Sequence, residues 1–404
     1  MLNLVLSAQR RNPYPAYWLM RRAKPLVHLS KFDVWFVSRY DDVKRVLTDH
    51  AHFSSDFRRM MNPMITSRRA RASLIASDPP IHTKLRSLVS KGFTSRAIAN
   101  LEPRIELLTH ELLDQVIESG RIDLVRDLAY PLPVIVIAEM LGIPAEDRDR
   151  FKVWSDQVVR AADRVFEQQD AGADIGDEDM PAEAMVSMGP YFHDIIERRR
   201  VEPRDDLISA LIAAEIDGER LSERDLLSFA SLLLVAGNVT TTNLITNAIL
   251  TLLKHPQSLT QLKADMSLLP GAIEEVLRYR SPVQFMFRVT NGEVELGGQT
   301  IGPNQRVIAL IGSANRDALK FAQPNVFDIT REPNPHLAFG HGIHYCLGAP
   351  LARLEAKVAL SIILQRLQNM ERVGRGALPP TDAFILHGVK RLPLRFTPGP
   401  KRLV

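Results

Sequence analysis

The one cysteine of this 404-residue chain, Cys346, lies in a loop dense with histidine and glycine. The segment reads Pro335-His336-Leu337-Ala338-Phe339-Gly340-His341-Gly342-Ile343-His344-Tyr345-Cys346-Leu347-Gly348-Ala349-Pro350. Pro350 is expected to open a helix, because proline fits a first turn whose N–H groups are unpaired in any case. Cys346 then stands just ahead of a helix N-terminus. Free N–H groups and the positive end of the dipole there favour the thiolate, the form of cysteine that serves as nucleophile or metal ligand. Three chemistries compete. A nucleophile needs a base, and His344 can serve only if the loop folds it back. His336, His341, His344 and Cys346 are acceptable zinc ligands by type, although crowded beyond ordinary finger spacing. The third is a thiolate on heme iron. Three glycines within nine residues, Gly340, Gly342 and Gly348, let backbone approach a flat macrocycle, and sulfur pushes electron density onto the metal. A lone buried cysteine is most often inert; the glycine pattern argues against that here.

A second anomaly lies in the longest expected helix. Ser222 with Asp225 three residues later reads as a capping box, and Pro256 stops a helix of about 50 Å over 222–254. Its middle is apolar all round, which argues burial. Yet Gly237-Asn238-Val239-Thr240-Thr241-Thr242-Asn243 fills the centre with poor helix formers. Either a functional site breaks the local rule, or Gly237 marks a tight helix crossing with threonines bonding back to earlier carbonyls.

The elements that must position these groups are mostly helical, with apolar residues three and four apart over 105–117, 134–141, 191–200, 205–216, 259–266, 270–279 and 351–367. Short β-type runs occupy 34–37, 294–296, 307–311 and 394–396. The expected fold is mainly α with a minor β-sheet region, in one large domain with a long central helix, since no repeat or linker divides the chain. Two long functional loops are expected, 56–80 and 168–188. Composition is that of an ordinary globular protein, 45% hydrophobic and 24% charged, which removes disordered and fibrous classes. One thiol makes no internal disulfide and no iron–sulfur cluster. A net charge of +4 is too weak to imply nucleic acid. The N-terminal apolar run is too short for a signal core, Ala129 to Ile143 is interrupted by Pro131 and Pro133, and Leu226 to Gly237 is too short to span. A soluble, cytoplasmic protein with no membrane partner is expected.

Phe339-Gly340-x-Gly342-x-His344-x-Cys346-x-Gly348 resembles the heme-binding signature of the cytochrome P-450 family. Three further stations fall in that family's order. Glu275-Val276-Leu277-Arg278 resembles its Glu-x-x-Arg helix pair, Ala236-Gly237-Asn238-Val239-Thr240-Thr241 its oxygen-binding helix, and His82-Thr83-Lys84-Leu85-Arg86 a stretch common in bacterial members. The likeness covers essentially the whole chain, to soluble members without a membrane anchor or fused reductase. It implies one cytochrome P-450-type domain over 1–404, carrying heme b (iron protoporphyrin IX) on Cys346. It implies propionate partners in His82, Arg86, Arg288 and His344, and Phe339, Gly340, Gly348 and Ala236 beside the cofactor. Thr240, Asn238 and Thr241 become the oxygen and proton-handling residues, and Glu275 with Arg278 a buried structural pair. By position in the family, Met61, Met64, Ile65, Leu74, Met185, Met188, Leu233, Ala236, Val283, Phe285, Met286 and Ile385 line a lipophilic pocket, with roughly half of them expected simply to pack the core.

Two stations depart from the family pattern. Where it often shows Pro-x-Arg-Phe, this chain reads Pro324-Asn325-Val326-Phe327, leaving Arg331 or Arg316 to supply the third arginine. The acid that usually precedes the active-site threonine is Val239, so no carboxylate stands in the usual place to deliver protons. The implied function is a monooxygenase that hydroxylates a steroid, terpenoid, fatty acid or macrolide with dioxygen. Electrons are expected from a separate ferredoxin and ferredoxin reductase, docking where Arg353 and Lys357 follow Cys346, since no nucleotide fingerprint is present. A monomer is expected. Val239 keeps open peroxide-driven turnover, other chemistry at the iron, or a heme sensor; a zinc hydrolase is the remaining alternative.

Overall fold

The computed structural model describes residues 11–402, except 31–32, 57–58, 60–73, 148–149, 152, 155–156, 158–181, 217, 382 and 384, and except the side chains at 145, 182–187, 216 and 235. The chain forms two compact units, each gathered from three stretches. One takes Met1–Asp78, Thr246–Ala349 and Gly376–Lys390; the other takes Pro79–Ile245, Pro350–Arg375 and Arg391–Val404.

The first unit is built on a five-stranded sheet in the order Leu26–Leu29, Val34–Val37, Arg306–Ala309, Met286–Thr290, Phe53–Ser54. Only the pairing of Val34–Val37 with Arg306–Ala309 is parallel. Successive side chains on a strand point to opposite faces, and the packing follows that rule. Val307 and Ala309 join a buried cluster with Val37, Tyr40, Val43, Leu47, Phe53 and Leu337. Ile308 and Leu310 join the cluster on the other side, with Val34 and Phe285. The helix Tyr40–Thr48 buries Tyr40, Val43, Val46 and Leu47, three and four apart. Because Leu337 is fully buried in the first cluster, the loop that carries Cys346 is rooted in this core.

The second unit is helical around a three-stranded sheet of Glu371–Arg372, Pro393–Arg395 and Arg121–Asp123. Its helices include Ile81–Ser90, Glu102–Asp114, Pro131–Met140 and Ala182–Val201. Pro131 opens its helix. The central helix, Glu223–Lys254, runs through residues of both units. It starts at the expected capping box: the Asp225 amide donates to Ser222 Oγ at 3.2 Å, and the Ser222 amide donates back to Asp225 Oδ2 at 3.0 Å. It is long and apolar enough to cross a membrane, but 59% of its most apolar window is buried, as in the core helix of a globular protein.

Two expected elements differ. The 205–216 helix is shorter, Leu207–Ala213, followed by a hairpin of Glu215–Ile216 and Glu219–Arg220. Asp206 caps the start by accepting from the Ser209 amide at 2.8 Å, and Gly218, at φ +76°, takes the left-handed conformation of the hairpin turn. The helix expected from Tyr191 begins at Ala182 and passes through Pro190, so the end of the expected 168–188 loop is helical. Ala182, Glu183, Ala184 and Met185 are strong helix formers, which outweighs one proline. The remainder of that loop, and most of 56–80, lie outside the described residues.

Candidate active site

Cys346 stands three residues ahead of the helix Ala349–Arg366, with Pro350 in its first turn. Backbone hydrogen bonds pin the loop: the Cys346 amide donates to the Phe339 carbonyl at 2.9 Å, and the Tyr345 amide to Gly342 at 3.0 Å. The three glycines do different work. Gly340 and Gly342 both have φ of +73°, a region costly for other residues, and a Cβ on Gly342 would sit 3.0 Å from Thr48 Cα. Gly342 thus serves the turn and its packing, whereas a Cβ on Gly340 would meet only His344 O, at 3.7 Å. Gly348 faces open space, with nothing within 4 Å of where its Cβ would stand. The glycine argument for a macrocycle therefore narrows to Gly340 and Gly348.

The zinc reading fails on geometry. His336 Nε2 lies 2.9 Å from Glu274 Oε2, and His341 Nδ1 lies 3.3 Å from Thr48 Oγ1. Among the described residues, the group whose ligand atoms gather closely enough for a metal is His193, Glu197 and Glu223, not the cysteine loop.

Arg288 lies on the strand Met286–Thr290, opposite Val307, and is 5% exposed. Among the described residues its side chain makes one hydrogen bond, from Nη1 to the Phe287 carbonyl at 2.7 Å, and no ion pair within 4 Å. Burial pulls its guanidinium down to about 10, opposed in part by the charge of Asp78. A buried cation with most of its donors unused fits an anionic group such as a heme propionate. His344 is half-buried in the same unit, in the turn Gly342–His344. His82, buried, and Arg86, half-buried, stand one turn apart on the helix Ile81–Ser90 of the second unit, on one face. Phe339 is half-buried and packs edge-on against Tyr345, ring centroids 6.3 Å apart.

Glu275 and Arg278 form a fully buried ion pair. Nε donates to Glu275 Oε2 and Nη2 to Oε1, each at 2.7 Å. The other donors reach the carbonyls of Asn315 at 2.9 Å, Pro324 at 2.8 Å and Val326 at 3.1 Å. Arg331 completes the group, with Nε 3.2 Å from Glu275 Oε2, and Asn334 Nδ2 donates to the same oxygen at 3.2 Å. Arg331 therefore replaces the arginine absent at Val326. Arg316 is committed elsewhere: it lies between the rings of Tyr14 and Tyr279, 3.6 and 3.8 Å from their centroids, and donates to the Tyr279 carbonyl.

The middle of the central helix is a packed crossing. A Cβ on Gly237 would stand 2.4 Å from Ile137 Cδ1, so this is a tight helix crossing. Thr240 Oγ1 donates to the Ala236 carbonyl at 2.6 Å, and Thr242 Oγ1 to those of Asn238 and Ala129, each at 3.0 Å. Burial nevertheless breaks along one stripe. Residues 241–250 are all buried, whereas Ala236 is exposed and Leu233, Gly237, Val239 and Thr240 are partly uncovered. Ala236 and Thr240 are one turn apart on that open stripe. Asn238 is about 200° round the helix from Thr240 and wholly buried, its Oδ1 3.3 Å from Thr242 Oγ1, and Thr241 is 3% exposed. The geometry thus sets Thr240 apart from the other two expected proton-handling residues.

Of the expected pocket residues, Met61, Met64 and Ile65 fall outside the described residues, as does the side chain of Met185. Met188 lies on the helix Ala182–Val201, and is 2% exposed. Leu74 is half-buried in a single 3₁₀ turn. Phe285 is a correction. It belongs to the core cluster with Val34, Ile308 and Leu310, 5.4 Å edge-on to Phe287, because strand alternation turns it away from Met286 and Arg288. Ile385 packs against that same cluster, whereas Val283 and Met286 sit partly buried against the other. Lys357, expected as a docking charge, is paired with Glu102 at 2.9 Å.

One residue the sequence did not single out is Glu355, on the helix after Cys346. It is 1% exposed, its Oε2 has no hydrogen-bond partner among the described residues, and burial pushes its carboxyl up to about 8. Its signal was an acid in the apolar stripe of Leu351, Val358 and Ala359.

The family profile of cytochrome P450 matches residues 2–387. The chain belongs to the cytochrome P450 family. Among its relatives, this P450 is 45% identical over 401 residues to cytochrome P450 109 of Bacillus spizizenii, covering 98% of this chain and 95% of that protein. It is 40% identical over 397 residues to the cytochrome P450 monooxygenase PikC of Streptomyces venezuelae, covering 96% and 92%. The crystal structure of CYP109E1 from Bacillus megaterium in complex with testosterone superposes with a TM-score of 0.85 at 41% identity, covering 96% of this chain and 99% of that one. The mainly helical P450 fold is thereby established, and with it an oxidoreductase of the monooxygenase kind whose cofactor is heme b. P450s of this bacterial group take electrons from redox partners and bind lipophilic substrates. Arg288, short of an anion, and Gly348, facing open space, fit that cofactor.

Proposed function

We propose that this P450 hydroxylates a lipophilic small molecule of the steroid, terpenoid, fatty acid or macrolide class, with electrons from a ferredoxin and its reductase. The observation that carries the reading is the uncovered stripe of Ala236 and Thr240 on a helix otherwise packed into the core. A relative that binds testosterone favours the steroid end of the range. Heme b, when bound, supplies the redox chemistry, in which dioxygen takes two electrons and two protons, one oxygen entering the substrate and the other leaving as water.

The chain's own residues hold and protonate. Cys346, ahead of a helix N-terminus, holds the iron as thiolate. Arg288, His344, His82 and Arg86 hold the propionates, and Arg288 gains most because its charge is otherwise uncompensated. Phe339, Gly340, Gly348 and Ala236 flank the macrocycle. Leu233, Val283 and Met286 contribute apolar walls to the substrate space. Thr240 Oγ1 donates to Ala236, which leaves its lone pairs to accept a proton-bearing water. Val239 cannot carry a proton, so delivery to Thr240 depends on water alone. Turnover with reductant is therefore slow or poorly coupled, and turnover driven by peroxide, which brings its own protons and electrons, is the alternative. Arg353 and Lys357, on the helix after Cys346, remain the expected ferredoxin contacts. The whole chain is one catalytic domain, a monomer in the cytoplasm.

Product formed per NAD(P)H consumed, with a surrogate ferredoxin system, tests it. Coupling should be low in the native protein and rise severalfold in Val239→Glu. High native coupling with no gain in the variant contradicts the proton argument; no substrate-dependent oxygen uptake and no peroxide-driven product would favour a sensor.

A further inference from the structure

We propose that the helix Tyr14–Ala23 docks this P450 onto an anionic lipid surface. The helix leaves apolar side chains on its outward face as well as its inward one. Its inward side packs Tyr17 and Met20 against the cluster of Val34, Phe285, Ile308 and Leu310, and buries Arg21, whose Nη1 donates to both the carbonyl and Oγ of Ser313 at 2.8 Å. These contacts fix its rotation. Pro15, Trp18, Leu19, Arg22 and Ala23, three and four residues apart, are left facing outward, with Trp18 46% and Leu19 59% exposed. The one charge in that stripe, Arg22, stands 4.9 Å from the Trp18 ring centroid. An outward helix face is ordinarily polar. An outward face of tryptophan, leucine and a cation is the pattern of a helix lying in the plane of a membrane interface, where the amphipathic indole and the long arginine stem bridge apolar and wet layers.

Charge selects the occupant. Arg11, Arg22 and Lys24 are exposed on and beside this helix, and residues 1–32 contain no acid, the first being Asp33. Over the whole chain 51 basic residues face 47 acidic ones, so this run is a local departure. A second copy of the chain would oppose like charges across the same face. An anionic bilayer offers negative headgroups and apolar depth together. The apolar segments of the sequence are too short or too interrupted to span a membrane, but surface docking needs no span. The inference stands independently of the substrate proposed above.

Co-sedimentation of the heme-loaded protein with vesicles tests it, comparing pure phosphatidylcholine with phosphatidylcholine plus phosphatidylglycerol. Binding to the anionic vesicles should be at least about tenfold stronger, and should fall away at about 0.5 M NaCl, where charge is screened within a few ångströms. A Trp18→Ser/Leu19→Ser double variant should lose about tenfold of that binding. Arg22→Glu should lose binding to anionic vesicles too, and both variants should keep the native absorbance spectrum and melting temperature. The proposal is overturned if native protein ignores anionic vesicles, if the double variant binds as well as native, or if the stripe instead mediates a concentration-dependent dimer that the double variant abolishes.

Discussion

Arg278 and Arg288 are both buried cations in the same unit, and they differ in what surrounds them. Arg278 uses all five of its N–H donors on Glu275 and three carbonyls. Arg288 uses one, on its neighbour's carbonyl, and its charge is destabilised by burial. A saturated buried charge belongs to the fold; an unsaturated one is a place kept for a ligand. Glu355 shows a third outcome, since with no partner for its Oε2 among the described residues it gives up its charge instead.

That contrast predicts a graded set of effects. Arg278→Met leaves the Glu275 carboxylate buried beside a single arginine. It should cost about 3–5 kcal/mol, read as a large fall in urea midpoint or loss of soluble protein. A midpoint within error of native would remove the distinction. Arg288→Met should instead leave unfolding nearly unchanged and speed heme loss to a scavenger globin by roughly tenfold or more. A lowered midpoint with unchanged heme loss would make Arg288 structural after all.

Glu355→Gln is the smallest effect and depends on pH. The folded carboxyl titrates near 8 against an ordinary 4.5, so its contribution is fully present below 4.5 and is lost as pH rises through 8. Melting temperatures of native and variant should converge near pH 5, and the variant should be higher by a few degrees at pH 8. An offset that does not vary with pH would mean the group does not titrate as described.

Much of the site was legible because it rests on local chemistry. The capping box at Ser222, the helix after Cys346 and the Glu275–Arg278 pair all follow from residue types at fixed spacing. What was not legible depends on tertiary partners. Arg331 and Arg316 are equivalent in sequence, and only Glu275 on one side and two tyrosine rings on the other distinguish them. Gly342 looked like room for a cofactor until Thr48 was found against it. Phe285 looked like a pocket residue until strand alternation turned it into the core. Asn238 and Thr240 are two residues apart, yet one is buried and the other stands on the open stripe.

The central claim is that the single thiol holds the iron. It is tested most directly by the ferrous–CO spectrum of the purified protein and of Cys346→Ser. The native protein should show the strongly red-shifted band of thiolate-ligated heme, and the variant should lose it together with turnover. A native protein without that band, or a variant that keeps it, would contradict the account.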